Sequence, residues 1–595
     1  MTRRHSWAAD RAIALALLAS AAAACAPTLQ TTGPAAASRA SRASADAGAP
    51  LTDIDRARQA VSRLTFGGRP GDVDAVARMG VGPWIDRQLH PESIPDPVAD
   101  SVLDRLEITH KSAFELAADH PRANEFHLPV GPQADSIAMA ATTAAAMKDS
   151  GQAMAQLANM RAQATKAEGR IDLAVRLNMQ RSGAQRELVP SLLIRAELSE
   201  RQLLEVMTVF WENHFSVAAA NVGVPLALVD YDHAIRTHAL GKFRDLLGAV
   251  AKTPAMLVYL NNYQSVVDSL HPNPTEWLVE QRRAAHPPLG DTSLVHAVHR
   301  RRAGINENYA RELMELHTLG VDGGYTQRDV QEVARCLTGW GIDDFIDGGT
   351  FAFHPAEHDA GEKTVLGVHI PGGRGIEDGE QVLDILAKRP STAHFIARKL
   401  VIRFVSDSAP PALVDRAAAT YLRTDGDIRE VLRTIFTSPE FFSQGAYRAK
   451  VKSPYELVAS VLRVMNAAPD TLAQAAQLVA QLGQPIYGRA TPDGWPDQAA
   501  AWMNGGALMD RVNFGIRVGN DQVRDVSIAA WKPSRTLLAL QAEQEVDGVI
   551  SAVLGGDAAP ETRQAMLAVQ SPPGTARHLG ELVAVAIGSS DFQRR

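Results

Sequence analysis

Apolar residues return every three to four positions through most of the chain, the spacing of helices that bury one face. The first such run carries Ala57, Val61 and Leu64 and stops at Phe66-Gly67-Gly68-Arg69-Pro70. A second helix starts near Gly71-Asp72, and Val81 to Leu89 reads as helical with Pro83 in its first turn. Ser199 is placed to cap a helix running through Leu203, Leu204, Met207, Phe210 and Trp211 to His214. Further helices are predicted over Phe243 to Leu260, broken at Thr253-Pro254, over Gln381 to Lys388, over Thr392 to Val405, and from Ser453-Pro454 to Arg463. Residues 136–180, rich in good helix formers but weakly amphipathic, predict a helical hairpin or lid. Strand alternation occurs only in Thr350 to His354 and Lys363 to Gly367, which predict one short β-hairpin near 350–367. The pattern therefore predicts a mainly α fold, a large multi-helix array or bundle, with no internal repeat. A helical region 51–345 precedes the hairpin segment 346–378, and helices resume over 379–595.

The densest stretch is 306–342, NENYARELMELHTLGVDGGYTQRDVQEVARCLTGWGI. With about 100° of rotation per residue, Glu307, Asn308, Arg311, Glu312 and Glu315 share one helix side. Tyr309, Ala310, Leu313, Met314, Leu316 and His317 take the other. The polar side is either a solvated face or an internal network. In the second helix Ala334, Leu337 and Trp340 read as packing. His214 and His317 both lie on apolar helix sides, where a histidine is ordinarily a hydrogen-bonded core residue, and they meet if those faces pack together. The hairpin loop gathers His354, Glu357, His358, Asp359 and Lys363, all able to act as acid, base or ligand, or to make a solvated turn. Lys399 and Arg403, four residues apart, repel unless acidic groups lie between them, which predicts pairing with the central carboxylates.

Composition narrows the classes. The chain has 595 residues, 46% of them hydrophobic, enough for large buried cores. A net charge of −7 with no basic block argues against a nucleic-acid binder. The two cysteines, Cys25 and Cys336, make no disulfide framework, and Cys336 falls in an apolar helical pattern as a small hydrophobe. Arg3, Arg4 and the apolar run Ala12 to Ala24 read as a Sec-type export signal over residues 1–25. Cys25 follows Ala22-Ala23-Ala24 as at a lipoprotein cleavage site, so simple cleavage and lipidation are both open, and any membrane attachment runs through Cys25. Residues 26–50 read as a flexible Ala/Ser/Pro linker. The location expected is periplasmic, outer-membrane-anchored or secreted. Residues 264–303 read as a polar insertion, whose His271, His286, His296 and His299 lack metal-ligand spacing.

Several segments together carry a resemblance: RLTFGGRPGDV, FWENHFSV, TPAMLVYLNN, the 306–342 stretch, HPAEHDAGEKTVLG, FIARKLVIRFV, KSPYELVASVLR and LGQPIYGRATPDGWP. The chain resembles the bacterial family known as domain of unknown function 1800, departing from it at the insertion and at Arg489-Ala490-Thr491. The resemblance implies a mostly helical exported protein. It also implies a gene neighbour resembling the alkaline phosphatase and sulfatase superfamily, hence an exported partner of that kind. A family motif that extends across the central charges favours an internal network there.

Three functional readings follow. In the first, a hydrolase-like enzyme acts on envelope or extracellular glycans, with Glu312 and Glu315, tuned by Arg311, meeting His354, His358 and Asp359 from the hairpin loop. In the second, a non-catalytic envelope scaffold is locked by an internal network of Glu307, Asn308, Arg311, Glu312, Glu315, Lys399 and Arg403, with His214 and His317 nearby. In the third, compatible with both, His354, His358 and Asp359 hold a divalent metal with oxygen ligands from the central helix. The chain has no P-loop, dinucleotide fingerprint or GxSxG elbow, and the central helix has no HExxH.

Overall fold

Several helix starts in this protein follow from side chains that satisfy otherwise unpaired backbone N–H groups. In the computed structural model, which describes residues 50–120, 186–222, 226–267, 304–343, 349–467 and 473–595, Thr52 caps helix α1 (Asp53–Leu64) by accepting from the Asp55 amide. Helix α2 (Gln202–Phe215) departs from the expected cap. Ser199 lies two residues before its N-cap, Arg201, and hydrogen-bonds Asp96 Oδ2 at 2.5 Å instead. Thr253-Pro254 ends one helix, α3 (Phe243–Ala251), and caps the short helix Pro254–Tyr259.

The central helix α4 (Glu307–Met314) widens into a π turn over Glu315–Leu319. Thr318 Oγ1 donates to the Leu313 carbonyl at 2.7 Å and so fastens that wider turn. Gly320 then takes a positive φ of 82° to leave the helix. Helix α5 (Gln327–Cys336) opens with a capping box between Thr326 and Asp329. Tyr309, Leu313, His317, Ala334, Leu337 and Trp340 are all buried, whereas Leu316 is only half-buried. Cys336 is a buried free thiol, and burial pushes its pKa up to about 12.

Strand pairing is local but differs from the expected hairpin. Strand β1 (Trp340–Asp343) pairs antiparallel with β2 (Thr350–Phe353), with Trp340 opposite Phe353 and Ile342 opposite Phe351. Strand β3 (Lys363–Val365) pairs with β4 (Val368–Ile370) through the Leu366-Gly367 turn, in which both residues have positive φ. The stretch 350–353 thus finds its partner upstream, in a WGID segment that follows directly on helix α5.

Helices α6 (Glu377–Ala387), α7 (Pro390–Phe404), α8 (Pro411–Arg423) and α9 (Ile428–Phe436) come next. Helix α10 (Pro454–Met465) starts with Pro454 in its first turn and a Ser453–Glu456 capping box. Helices α11 (Gly505–Gly519), α12 (Ala542–Leu554) and α13 (Ala576–Gly588) complete the set used below. One contiguous buried apolar cluster runs through these elements, from Leu64 to Phe592, in a mainly helical fold. Among the described residues no helix is long and apolar enough to cross a membrane. The predicted signal 1–25, nearly all of the linker 26–50, the segment 136–180 and most of the insertion 264–303 lie outside the described residues.

Helices α11 and α13 approach closely because glycine faces glycine. A Cβ added at Gly519 would lie 2.2 Å from the Gly580 carbonyl oxygen. Gly519→Ala must therefore force the helices apart, and we expect it to lower stability by about 2–3 kcal/mol, the cost of overpacking a tight core. Gly505→Ala, whose added Cβ meets nothing within 4 Å, should change stability by much less. Urea unfolding of the two variants beside the parent checks the contrast.

Candidate active site

The polar side of α4 is not an internal network. Asn308 is exposed, and Glu307, Arg311, Glu312 and Glu315 are partly solvated. Arg311 reaches Glu307 at 3.3 Å and Gln327 at 2.9 Å, while Glu315 accepts from the Tyr325 hydroxyl at 2.8 Å. Glu312 is pushed above the usual carboxylate range, first by burial and then by the neighbouring Glu315 charge.

The hairpin residues engage different partners. His354 bonds Glu357 through Nδ1 at 3.2 Å and Asp343 through Nε2 at 3.0 Å, tying β1 to the loop after β2. His358 spends Nδ1 on the Thr338 carbonyl at 2.8 Å and lies 3.3 Å from Asp378 through Nε2. Lys363, fully buried, reaches the same Asp378 carboxylate at 2.6 Å. Asp359 binds Arg335 at 2.7 Å. These bonds lock the β-segments onto α5 and α6. They share no partner with the bonds of Arg311, Glu312 or Glu315. Both ring nitrogens of His354 and of His358 are occupied, and among the described residues no group of three or more His, Cys, Asp or Glu could hold a metal.

His214 and His317 do meet, with ring centroids 6.2 Å apart. The π turn presents the His317 carbonyl to His214 Nε2 at 3.1 Å, and because a carbonyl only accepts, that nitrogen carries the proton. His214 Nδ1 is then a lone pair, and it accepts from Lys399 Nζ at 2.8 Å. Lys399 thus pairs with a neutral imidazole and not with the central carboxylates. Its neighbour Arg403 departs from expectation too, binding Glu456 at 2.6 Å. Burial, then the Lys399 charge, holds His214 well below its ordinary pKa, and the same two causes push His317 down to about 3. Burial pushes Lys399 down to about 8 against the opposing pull of Asp497 and Asp493. Among the described residues no carboxylate lies within ion-pair distance of Lys399, whose ammonium also lies 5.4 Å from the Phe395 ring.

Lys399 and His214 open onto a cavity of about 290 Å³, whose wall includes Asn213, Tyr455, Asp493 and Trp495. The 489–498 loop closes one side and is held by Asn213, which donates to the Trp495 carbonyl at 2.8 Å and accepts from the Trp495 amide at 2.7 Å. Gly494, at φ 74°, lets the loop pass this close, since a Cβ there would lie 2.2 Å from the Asn213 carbonyl oxygen. Arg489 binds Asp493 at 2.7 Å and lies 5.3 Å from the Trp495 ring. The Asp493 carboxylate is held below its ordinary pKa, first by its bond to Arg489. A smaller adjoining pocket shares Asn213, Tyr455, Gln484 and Trp495 and reaches Glu212.

Helix periodicity does not single out Asn213, Asp493 and Trp495. Their signal lies in the segments FWENHFSV and LGQPIYGRATPDGWP, which interlock in space across 275 or more positions of sequence. The family described as Protein of unknown function (DUF1800) matches residues 59–594. No curated protein matches the chain. No solved structure matches it either.

The two acidic partners of His354 push its pKa up to about 9, the bond to Glu357 being the larger cause. A raised folded-state pKa stabilises the fold fully below the ordinary histidine value and loses that contribution as pH rises through about 9. His354→Gln is therefore expected to be less stable than the parent at pH 6, with the gap closing above pH 9. Urea midpoints across that range measure it.

Proposed function

The chain belongs to the DUF1800 family, and from that starting point we propose that it is an exported cell-envelope enzyme acting on envelope or extracellular glycans in the Lys399 cleft. The observation that carries the reading is Lys399 itself. It is a half-buried lysine on a cavity wall, without a carboxylate partner among the described residues, held by a neutral imidazole and poised near pH 8. A lysine so placed exchanges a proton at working pH, as a general base must, whereas an ordinary lysine stays charged. His214 fixes one N–H of Lys399 and leaves the rest of the amine for the cavity. The wall suits a sugar: Trp495 offers an apolar ring face, and Gln484, Gln498 and Asp493 offer hydrogen bonds to hydroxyls. This assignment moves the chemistry from Glu312, Glu315, His358 and Asp359 to Lys399, with His214 as its positioning residue.

The proposal includes export through residues 1–25 to the periplasm, the outer membrane or the exterior, with lipid attachment at Cys25 as the only membrane link. It also includes pairing with an exported phosphatase- or sulfatase-like protein. A second reading, an envelope scaffold, draws on the buried ion network in which Glu456 holds both Arg403 and Arg595. Co-purification from the native host separates the two. A stoichiometric exported partner with no glycan turnover favours the scaffold, and turnover with bound glycan fragments favours the enzyme.

For the enzyme, release of reducing ends from a panel of envelope and extracellular polysaccharides is the assay. Lys399→Met should lower kcat/KM about a hundredfold or more, the usual worth of a general base, while the unfolding curve stays close to the parent's. Since the neutral amine is the active form, the parent's kcat/KM should rise with pH through about 8. Unchanged turnover in folded Lys399→Met removes the assignment.

A further inference from the structure

A second cavity, of about 190 Å³, lies between the 67–71 loop, Arg448, Lys452 and the 591–595 segment. Its wall carries six cationic side chains, Arg58, Arg69, Arg448, Lys452, Arg594 and Arg595, against two carboxylate side chains among the described residues, Asp74 and Asp591. The more exposed cations have partners: Arg58 binds Asp55 at 2.6 Å, Arg69 binds Glu200 at 2.6 Å, and Arg448 binds Asp591 at 3.2 Å. Asp591 is further committed to the Ala559 amide and to Thr562.

The buried cations are not balanced in the same way. Lys452 is 7% exposed, and among the described residues no hydrogen bond or ion pair reaches its Nζ, which lies 3.9 Å from the Phe592 ring. Arg595 is 2% exposed, and among the described residues Nε, Nη1 and Nη2 make no hydrogen bond, although Nη2 lies 3.0 Å from Glu456 Oε1 and 3.7 Å from Asp497 Oδ1. That Glu456 oxygen is already bound by Arg403 at 2.6 Å. Burying cationic groups without full partners is costly and calls for an anion. Arg448 is held at a positive φ of 52°, a conformation a non-glycine residue keeps only where its surroundings enforce it. Planar guanidinium groups and an ammonium converging on one small cavity match the several oxygens of a tetrahedral anion.

We propose that this cavity is a binding site for a small tetrahedral oxyanion, phosphate or sulfate, free or as the ester group of a larger molecule. The site shares no side chain with the wall of the Lys399 cleft and stands independently of the reaction assigned there. Burial holds the Lys452 pKa down to about 7, with Glu456 favouring its charge, Arg595, Arg448 and Arg511 opposing it, and Asp591 and Asp74 on the same cavity wall. A bound anion would favour the ammonium form.

Calorimetric titration of the whole protein with sodium sulfate, inorganic phosphate and glucose 6-phosphate tests the site. Saturable one-to-one binding of at least one probe is expected, weakened tenfold or more in Lys452→Met, which keeps an unbranched stem against Phe592. The probe that binds most tightly distinguishes a free ion from an ester. Sulfate keeps its charge near neutrality, so its affinity should fall as pH rises through about 7. If Lys452→Met does not fold, Arg595→Gln is read by the same criteria. Absence of saturable binding by all three probes, or equal affinity in parent and folded variant, overturns the proposal.

Discussion

Much of the architecture turns on the Glu456 carboxylate. Its backbone N–H donates to the capping Ser453 Oγ, while one of its oxygens takes Arg403 at 2.6 Å and Arg595 at 3.0 Å. The other returns to the Ser453 amide at 2.8 Å. One buried anion thereby joins the first turn of α10 to α7 and to the chain's last residues. The two guanidiniums pull its pKa down to about 2 despite burial, so it is charged near neutral pH. Removing that charge would strand two buried guanidiniums, a loss of about 3–5 kcal/mol for a broken buried pair. The cluster adds little net stability over an apolar core of equal volume. What it supplies is fixed geometry: Arg403 and Glu456 line the Lys399 cleft, and Arg595 lines the cationic cavity.

Periodicity and capping were legible where one helix decides its own environment. Tyr309, Leu313 and Ala334 bury as their helix faces require, whereas Leu337 and Trp340, read as part of the second helix, bury beyond its end, Trp340 in strand β1; Ser453-Pro454 opens α10 with the box its spacing encodes. The meeting of His214 and His317 was legible only as a condition, because it needs two apolar faces to pack. What a helix wheel cannot supply is the partner across space. The spacing of Lys399 and Arg403 points to the central carboxylates, yet Glu456 and His214 reach them from distant elements. The π turn was invisible as well. Its extra residue per turn breaks the 100° count from Glu315 onward, and it is the His317 carbonyl on that turn that fixes the His214 tautomer.

The central helix shows why a dense charged motif need not be the reacting group. Glu307, Arg311 and Gln327 form a partly solvated set in which each charge has a local partner. Such pairs are screened and contribute on the order of a few tenths of a kcal/mol. The same stretch matters through its other side, where Tyr309 anchors to the Ala251 carbonyl at 2.7 Å and His317 faces α2. Its contribution to the cleft is therefore positional: the π turn delivers one carbonyl to His214.

Lys399 and Arg403 are one turn apart on α7, and each solves the problem of a like-charged neighbour differently. Arg403 takes a carboxylate, and a guanidinium, whose proton is never given up near neutrality, becomes a fixed part of the frame. Lys399 takes an imidazole that is itself held neutral by burial and by the lysine's own charge, with its tautomer fixed by donation to a carbonyl. A neutral acceptor orients the amine without stabilising its charge as a carboxylate would, so the lysine keeps a proton it can release. Replacing His214 by a carboxylate would complete an ion pair and return Lys399 to its ordinary, permanently charged state. The choice of partner, more than the presence of the lysine, separates a structural cation from a group able to do chemistry.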